Sequence, residues 1–378
     1  MDEKWTIVAV VGTRPQIIKC AAMREDLRDD ASPVGRLVLL DTGQHYDPEL
    51  AVLPRTDLGV DVDVVPRAGG PGSDPTVEEV HDAMAARAPS SGAPRAVLVM
   101  GDTRSTLLGA RAAVRAGLPL IYAEAGLGSG TPGHRESEIR RAVVGHADVM
   151  VCWSESAAAG LGAARPGAPV LVFDDPHLGF VRRQVAMAGP TADVHDAPAV
   201  LTLHKSWTLR PEVVAAVFQA LAERRQRAIL LLTPQLRRLL ETMGPVPGHV
   251  EPRDGHTPRE TWRLIAASPF LITDSGTMPR EAAILGKRSV LVRTFSGNGD
   301  LIDRGIAVVA GTEPAGIAAG IARVRRAGPF AYPYRATGWH EILGRALDAL
   351  RATRPAHAEP AHAEPTHAEP TSGRRSID

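Results

Sequence analysis

Five short polar segments each follow an apolar run and precede a helical pattern. They are Gly12-Thr13-Arg14-Pro15, Asp41-Thr42-Gly43-Gln44-His45, Gly101-Asp102-Thr103, Glu124-Ala125-Gly126 and Thr273-Asp274-Ser275-Gly276. Open parallel sheets bind ligands at such strand ends, and helix starts favour anions. Asp102 and Glu124 stand 22 residues apart, about one strand–helix–strand unit. A right-handed crossover would set their strands side by side, about 5 Å apart. Two carboxylates there resist ionising together, so one pKa should rise, as suits a general acid–base pair. The plainer alternatives are an Asp102 that only caps the helix starting near Thr103, and a Glu124 that only faces solvent.

Around this pair stand groups suited to a phosphorylated ligand. Arg14 and Lys19, beside Gly12 and a helix start, are candidate phosphate ligands. His204, with Lys205, ends a strand of the second half and would face the first half across a cleft. Ser275, Gly276 and Thr277 form a second anion-binding start, Pro279 fits the first turn of the helix behind it, and Glu281 lies within reach of a ribose. The alternative for this segment is a plain helix cap. Neither the Gly-x-x-x-x-Gly-Lys-Ser/Thr phosphate loop nor Gly-x-Gly-x-x-Gly occurs at the first strand, which argues against an ordinary ATPase or dehydrogenase.

The elements that position these groups alternate. Strand-like runs at Thr6–Val11, Arg36–Leu40, Ala96–Met100, Leu118–Ala123, Val149–Cys152 and Val170–Val172 are separated by helical patterns such as Arg104–Arg115 and Glu136–His146. The alternation restarts after Pro198, with runs at Ala199–Leu203, Ile229–Leu232, Phe270–Ile272, Ser289–Val292 and Val308–Ala310. Val-rich strands alternating with helices predict an α/β fold of two Rossmann-like doubly wound domains, with the site in the cleft between them. We place the first domain at 1–178, the second at 179–340, and a terminal helix at 341–354 that packs back on the first. Residues 355–378, with Pro at every fifth position of an Ala-His-Ala-Glu-Pro repeat, are expected to be a disordered tail. Pro66–Pro75, rich in Gly and Pro, is expected to be a mobile loop.

Bulk composition excludes several classes. Of 378 residues 44% are hydrophobic, enough for two cores, and Lys+Arg balances Asp+Glu at 43 each. Nothing global draws the chain to nucleic acid or an anionic membrane. Cys20 and Cys152 cannot make a disulfide framework or a four-cysteine metal site, and both read as core residues. No metal or redox cofactor is implied. With no basic leader before an apolar stretch and no apolar run of about 18 residues, a cytoplasmic, soluble protein is expected.

In this order and spacing the segments resemble the non-hydrolysing UDP-N-acetylglucosamine 2-epimerase family. The resemblance runs over about residues 5–350 and rests on Gly12-Thr13-Arg14-Pro15…Lys19, Thr42-Gly43-Gln44-His45, Gly101-Asp102-Thr103, Glu124-Ala125-Gly126-Leu127, Gly145-His146, His204, Thr273-Asp274-Ser275-Gly276…Glu281-Ala282…Leu285-Gly286-Lys287 and Tyr332-Pro333-Tyr334. It implies a glycosyltransferase-B-like pair of domains, a nucleotide sugar in the cleft and a homodimer. The implied reaction breaks the C1–O bond, removes the C2 proton to give a glycal, and returns proton and UDP with C2 inverted. It further implies Asp102, Glu124 and His204 as catalytic groups, with Arg14, Lys19, Gln44, His45, Arg141, Ser275, Gly276, Thr277 and Glu281 around the substrate.

The chain departs from the family on the sugar side. The family's Pro-Glu-Glu before Asn-Arg reads Glu136-Ser137-Glu138, then Ile139-Arg140-Arg141, so a catalytic Glu aligns with Ser137. Glu138 is the candidate replacement and Glu136 the alternative, although one residue along a helix turns a side chain by about 100°. An arginine is replaced by Gly128, and the usual Glu-Arg-x-Glu stretch by Phe295-Ser296-Gly297-Asn298-Gly299-Asp300. Two other readings therefore stand beside the epimerase. The same bond cleavage could serve hydrolysis, or transfer to an amine or nucleobase as in nucleoside-antibiotic synthesis; or the chain is a non-catalytic sugar-nucleotide sensor.

Overall fold

A computed structural model describes residues 3–29, 31–70, 73–88, 92–127, 135–189, 197–296 and 298–353. Among these described residues thirteen strands form two all-parallel sheets. The first contains β1 (Trp5–Val11), β2 (Val34–Asp41), β3 (Asp63–Val64), β4 (Arg95–Met100), β5 (Leu120–Ala123), β6 (Val149–Cys152) and β7 (Val170–Val172), in the order β3-β2-β1-β4-β5-β6-β7. The second contains β8 (Ala199–Thr202), β9 (Ala228–Leu231), β10 (Val250–Arg253), β11 (Phe270–Thr273), β12 (Arg288–Leu291) and β13 (Ala307–Val309), in the order β10-β9-β8-β11-β12-β13. These are two parallel-sheet α/β domains, as the alternating pattern predicts.

Each sheet reverses its winding once, between β1 and β4 and between β8 and β11. Crevices open outside the carboxyl ends of strands at such reversals. Gly12–Arg14 and Asp102 flank the first reversal, His204 and Asp274 the second. The inner strands are buried on both faces, so they read as continuous apolar runs: every residue of β1 is buried, as is all of β6 and β11.

Two strands escape the sequence pattern. β3 is two residues long, and β10 reads Val-Glu-Pro-Arg at the sheet edge, where proline is tolerated and no apolar run is needed. Helix Pro176–Met187 follows β7 and packs on helices from both sheets, among them Arg14–Asp26 and Met278–Ile284. Helix Trp339–Thr353 lays Trp339, Ile342, Leu343 and Leu347 into the core of the first sheet. Cys20 and Cys152 are fully buried, and burial pushes both thiols up to about 12, which leaves them inert. Among the described residues no helix is long and apolar enough to cross a membrane. The repeat tail and part of the Pro66–Pro75 segment lie outside the described residues.

Candidate functional site

The loop after β1 is tied to its neighbours before it offers anything to a ligand. Buried Gln16 accepts the N–H groups of Gly12 (3.0 Å) and Thr13 (3.2 Å), and its amide donates to the Met100 carbonyl at 2.9 Å. The β1 turn and the end of β4 are thus joined by one side chain. Gly12 cannot be replaced there: a Cβ would sit 2.1 Å from Ser105 Oγ and 2.3 Å from Thr42 Oγ1. Gln44, expected at the substrate, uses its carbonyl oxygen to accept the backbone N–H (3.2 Å) and hydroxyl (3.0 Å) of Ser105. It serves the loop more than the cleft.

Asp102 and Glu124 do come together, because β4 and β5 pair in register from Val97↔Leu120 to Met100↔Ala123. Their electrostatics differ from the sequence expectation. Each carboxylate has its own cation. Lys19, expected at the phosphate, is buried and forms an ion pair with Glu124. Arg140 holds Asp102 through Nε (3.0 Å) and Nη2 (2.8 Å), and its Nη1 donates to the Glu124 carbonyl at 2.7 Å. Burial opposes charge on Glu124, but Lys19 and then Arg140 outweigh it, so its pKa lies below the usual carboxylate value. The same balance leaves Lys19 raised and charged. Lys19 and Arg140 thus keep Glu124 from resting as a proton donor.

Glu124 takes a positive φ of 60°, uncommon for a residue with a Cβ, beside Gly101 at 73°. A side chain on Gly101 would approach the Glu124 carboxylate at 3.3 Å. Backbone held in this region costs on the order of 1–3 kcal/mol and persists where neighbours over-determine it. Arg140 is that neighbour. Replacing it with Met, close in volume but uncharged, is expected to lower kcat on the order of 10²-fold with little change in KM, since reacting groups would shift while ligand contacts stay. Steady-state kinetics beside a thermal melt checks this.

The helix Arg135–Val144 corrects two expectations. Arg141 is exposed, and it is Arg140 that turns inward; Glu138 is exposed, and Ser137 is the buried residue of that turn. Residues 137, 140 and 144 share one face at helical spacing, whereas 138 and 141 share the next. The inward face therefore carries a hydroxyl and a guanidinium and no carboxylate.

Across the reversal of the second sheet, Asp274 is fully buried. It accepts the backbone N–H of His204 (2.9 Å) and Lys205 (2.8 Å) and the Thr208 hydroxyl, and its Oδ1 lies 2.9 Å from His204 Nδ1. Burial opposes its charge, but these donors outweigh burial and hold its pKa near about 2. With Nδ1 directed at Asp274, Nε2 is the atom His204 has for the cleft. The following turn is less open than expected. Ser275 N–H donates to Thr273 Oγ1 (3.0 Å), and Ser275 Oγ accepts from Thr277 and Met278 at 3.3 and 3.4 Å, which engages those three amides within the turn. Gly276 is exposed and Thr277 makes no side-chain cap. Glu281 is also taken: Oε1 lies 2.7 Å from His177 Nε2, and Oε2 accepts the Trp262 indole N–H at 3.2 Å. Buried and doubly bound, it joins three helices instead of presenting a carboxylate to a ribose.

The two halves meet at Arg14. Its backbone N–H donates to His45 Nδ1 (3.1 Å), and its guanidinium donates to the His256 carbonyl at 3.2 Å. Among the described residues no carboxylate pairs with it, and burial lowers its pKa against weaker opposition from Glu281, Asp57 and Glu49. Arg237–Glu49 and Arg259–Asp57 tie the same edges together. A cavity of about 690 Å³ lies elsewhere, at the back of the junction between Trp153, Phe173, Arg280 and Tyr332.

His45 and His256 are both held near pKa 4, by burial first and by Arg14 next, against the ordinary 6.5. The unfolded chain binds these protons more readily, so their contribution to stability is complete above about pH 6.5 and is lost as pH falls towards 4. Thermal melts between pH 7 and pH 4.5 should fall steeply, and His45→Gln should flatten part of that slope.

The fold agrees with that of the chain's relatives. Residues 30–337 match the family model described as UDP-N-acetylglucosamine 2-epimerase. A Pseudomonas aeruginosa UDP-2,3-diacetamido-2,3-dideoxy-D-glucuronate 2-epimerase is 28% identical over 81% of this chain and 88% of its own length. Among solved structures, a Methanocaldococcus jannaschii UDP-GlcNAc 2-epimerase in complex with UDP-GlcNAc and UDP superposes with TM-score 0.76 at 18% identity, covering 91% of this chain and 99% of that one. A Neisseria meningitidis UDP-GlcNAc 2-epimerase bound to UDP-GlcNAc gives TM-score 0.70 at 16% identity, over 90% and 99%. At these identities the structural likeness speaks for the fold, and the family model, spanning most of the chain, speaks for descent. The chain is an epimerase, an isomerase of the UDP-N-acetylglucosamine 2-epimerase family.

Proposed function

We propose that the chain inverts C2 of a UDP-linked 2-acetamido sugar, UDP-N-acetylglucosamine or a diacetamido relative of it, by breaking and remaking the anomeric C–O bond. The observation that carries this is the pair of carboxylates, Asp102 and Glu124, each held by a cation at adjacent strand ends, together with Arg14, which no carboxylate among the described residues pairs with. In the proposed course the diphosphate displaces the His256 carbonyl from Arg14 and docks between Arg14, His45 and His204. Breaking C1–O places negative charge on the departing diphosphate, where those groups stabilise it, and positive charge at C1, where the carboxylates do. Glu124, kept ionised by Lys19, takes the C2 proton, and the glycal is left between the lobes. Delivery of a solvent proton to the opposite face of C2, attack of UDP on C1 and loss of the Glu124 proton to solvent complete the inversion.

One observation favours a second reading. The inward position on helix Arg135–Val144 is Ser137, so this helix adds no third carboxylate to the site among the described residues. If return to the opposite face fails, water captures the intermediate and the products are UDP and free sugar. Incubation with UDP-N-acetylglucosamine and chromatography of the nucleotides decides between them. Two interconverting UDP-sugars support the epimerase, whereas stoichiometric UDP with no second UDP-sugar would replace it by the hydrolytic reading.

A further inference from the structure

Arg293, just beyond β12, is only 8% exposed, yet its partners are few. One guanidinium nitrogen donates to the Ser275 carbonyl at 3.3 Å, Nε has no partner, and among the described residues Arg293 enters no salt bridge. The nearby carboxylate, Asp274, supports the charge on Arg293 from a distance without an ion pair, its Oδ2 being held by His204, Lys205 and Thr208. A buried cation with an unused donor is unfavourable unless something arrives to meet it. The guanidinium also lies 5.1 Å from the centre of the Phe295 ring. Phe295 pairs with Trp207, ring centres 6.2 Å apart and planes inclined by 41°, and the Lys205 ammonium lies 5.6 Å from the Trp207 ring. Phe295 is 41% exposed, and the Trp207 indole N–H is buried without a partner. From Arg293 at the Ser275 carbonyl a chain of contacts thus runs through two rings to a second cation, one ring following His204 by three residues and the other following Arg293 by two.

We propose that Arg293, Trp207 and Phe295 form a subsite of the cleft for the ring carried by the diphosphate. Arg293 takes a phosphate oxygen, and the aromatic pair takes a flat face, either that of the nucleobase or the apolar face of the hexose. Stacking of this kind is favourable for any planar or C–H-lined surface and is strengthened by the flanking cations. The proposal rests on the nucleotide-sugar reading above.

Calorimetric titration of the full chain with UDP, UDP-N-acetylglucosamine and inorganic pyrophosphate tests it. Phe295→Ala should bind UDP about tenfold more weakly than wild type and leave pyrophosphate unchanged, if the base lies on the rings. A loss confined to UDP-N-acetylglucosamine would put the hexose there instead. Arg293→Lys should weaken all three, because a point charge does not replace a planar fork. Phe295 is half outside the core, so its truncation should fold; if Arg293→Lys does not fold, the Phe295 result decides. Wild-type affinity of Phe295→Ala for both UDP and UDP-N-acetylglucosamine overturns the subsite and leaves the nucleotide-sugar reading intact. A wild-type chain that binds neither UDP nor its sugar contradicts that reading itself.

Discussion

Glu124→Gln is expected to reduce turnover on the order of 10²–10⁴-fold, the usual contribution of a positioned acid or base, with UDP affinity nearly unchanged. Gln keeps an acceptor for Lys19, so the ammonium is not stranded, but it cannot take a proton from C2. Asp102→Asn should behave alike for a different reason. Arg140 approaches a single oxygen of Asp102, and the amide can still accept there while the charge that steadies C1 is gone. Kinetics with both variants, beside UDP titrations, separates chemistry from binding. Equal loss of binding in either variant would show that these carboxylates hold the ligand instead of acting on it.

Arg14→Ala should do the reverse. A charge-assisted hydrogen bond contributes about 1.5–3 kcal/mol, so UDP affinity should fall by roughly tenfold to a hundredfold or more. Arg14 is suited to this because, among the described residues, its guanidinium meets only a carbonyl, that of His256, across the cleft. The cleft is bridged by a contact that a phosphate oxygen can replace with a stronger one. Arg14→Lys should recover part of the loss, since it restores charge without the fork. If Arg14→Ala leaves UDP affinity intact and lowers only stability, Arg14 is a strap between lobes and the phosphate lies elsewhere.

Much of the fold was readable because strands buried on both faces need continuous apolar runs, and eleven of the thirteen strands have one. β3 and β10 do not, being short edges with one side free. The site was readable to the extent that its groups sit at strand ends: Arg14, Asp102, Glu124, His204 and Asp274 all follow strands, and sheet order brings them to the two reversals. What failed depended on rotation or on distant partners. Arg140 and Arg141 are neighbours in sequence but about 100° apart around a helix, and only packing shows which one turns inward. Lys19 meets Glu124 across 105 positions and Glu281 meets His177 across 104, so neither pairing could be seen along the chain. Each pairing changed a role, from phosphate ligand to carboxylate partner and from ribose contact to helix junction. Arg293 had a weak signal, a cation directly after a Val-rich strand, but no glycine or histidine marked it.

The central claim is that an ionised carboxylate at Glu124 exchanges the C2 proton of a bound UDP-sugar. Incubating the chain with UDP-N-acetylglucosamine in D₂O and following C2 by proton NMR tests it most directly. The expected result is deuterium at C2 in the recovered UDP-sugars, with a manno signal growing in, and no exchange in Glu124→Gln. Retention of the C2 proton by a substrate that binds and turns over would contradict the account.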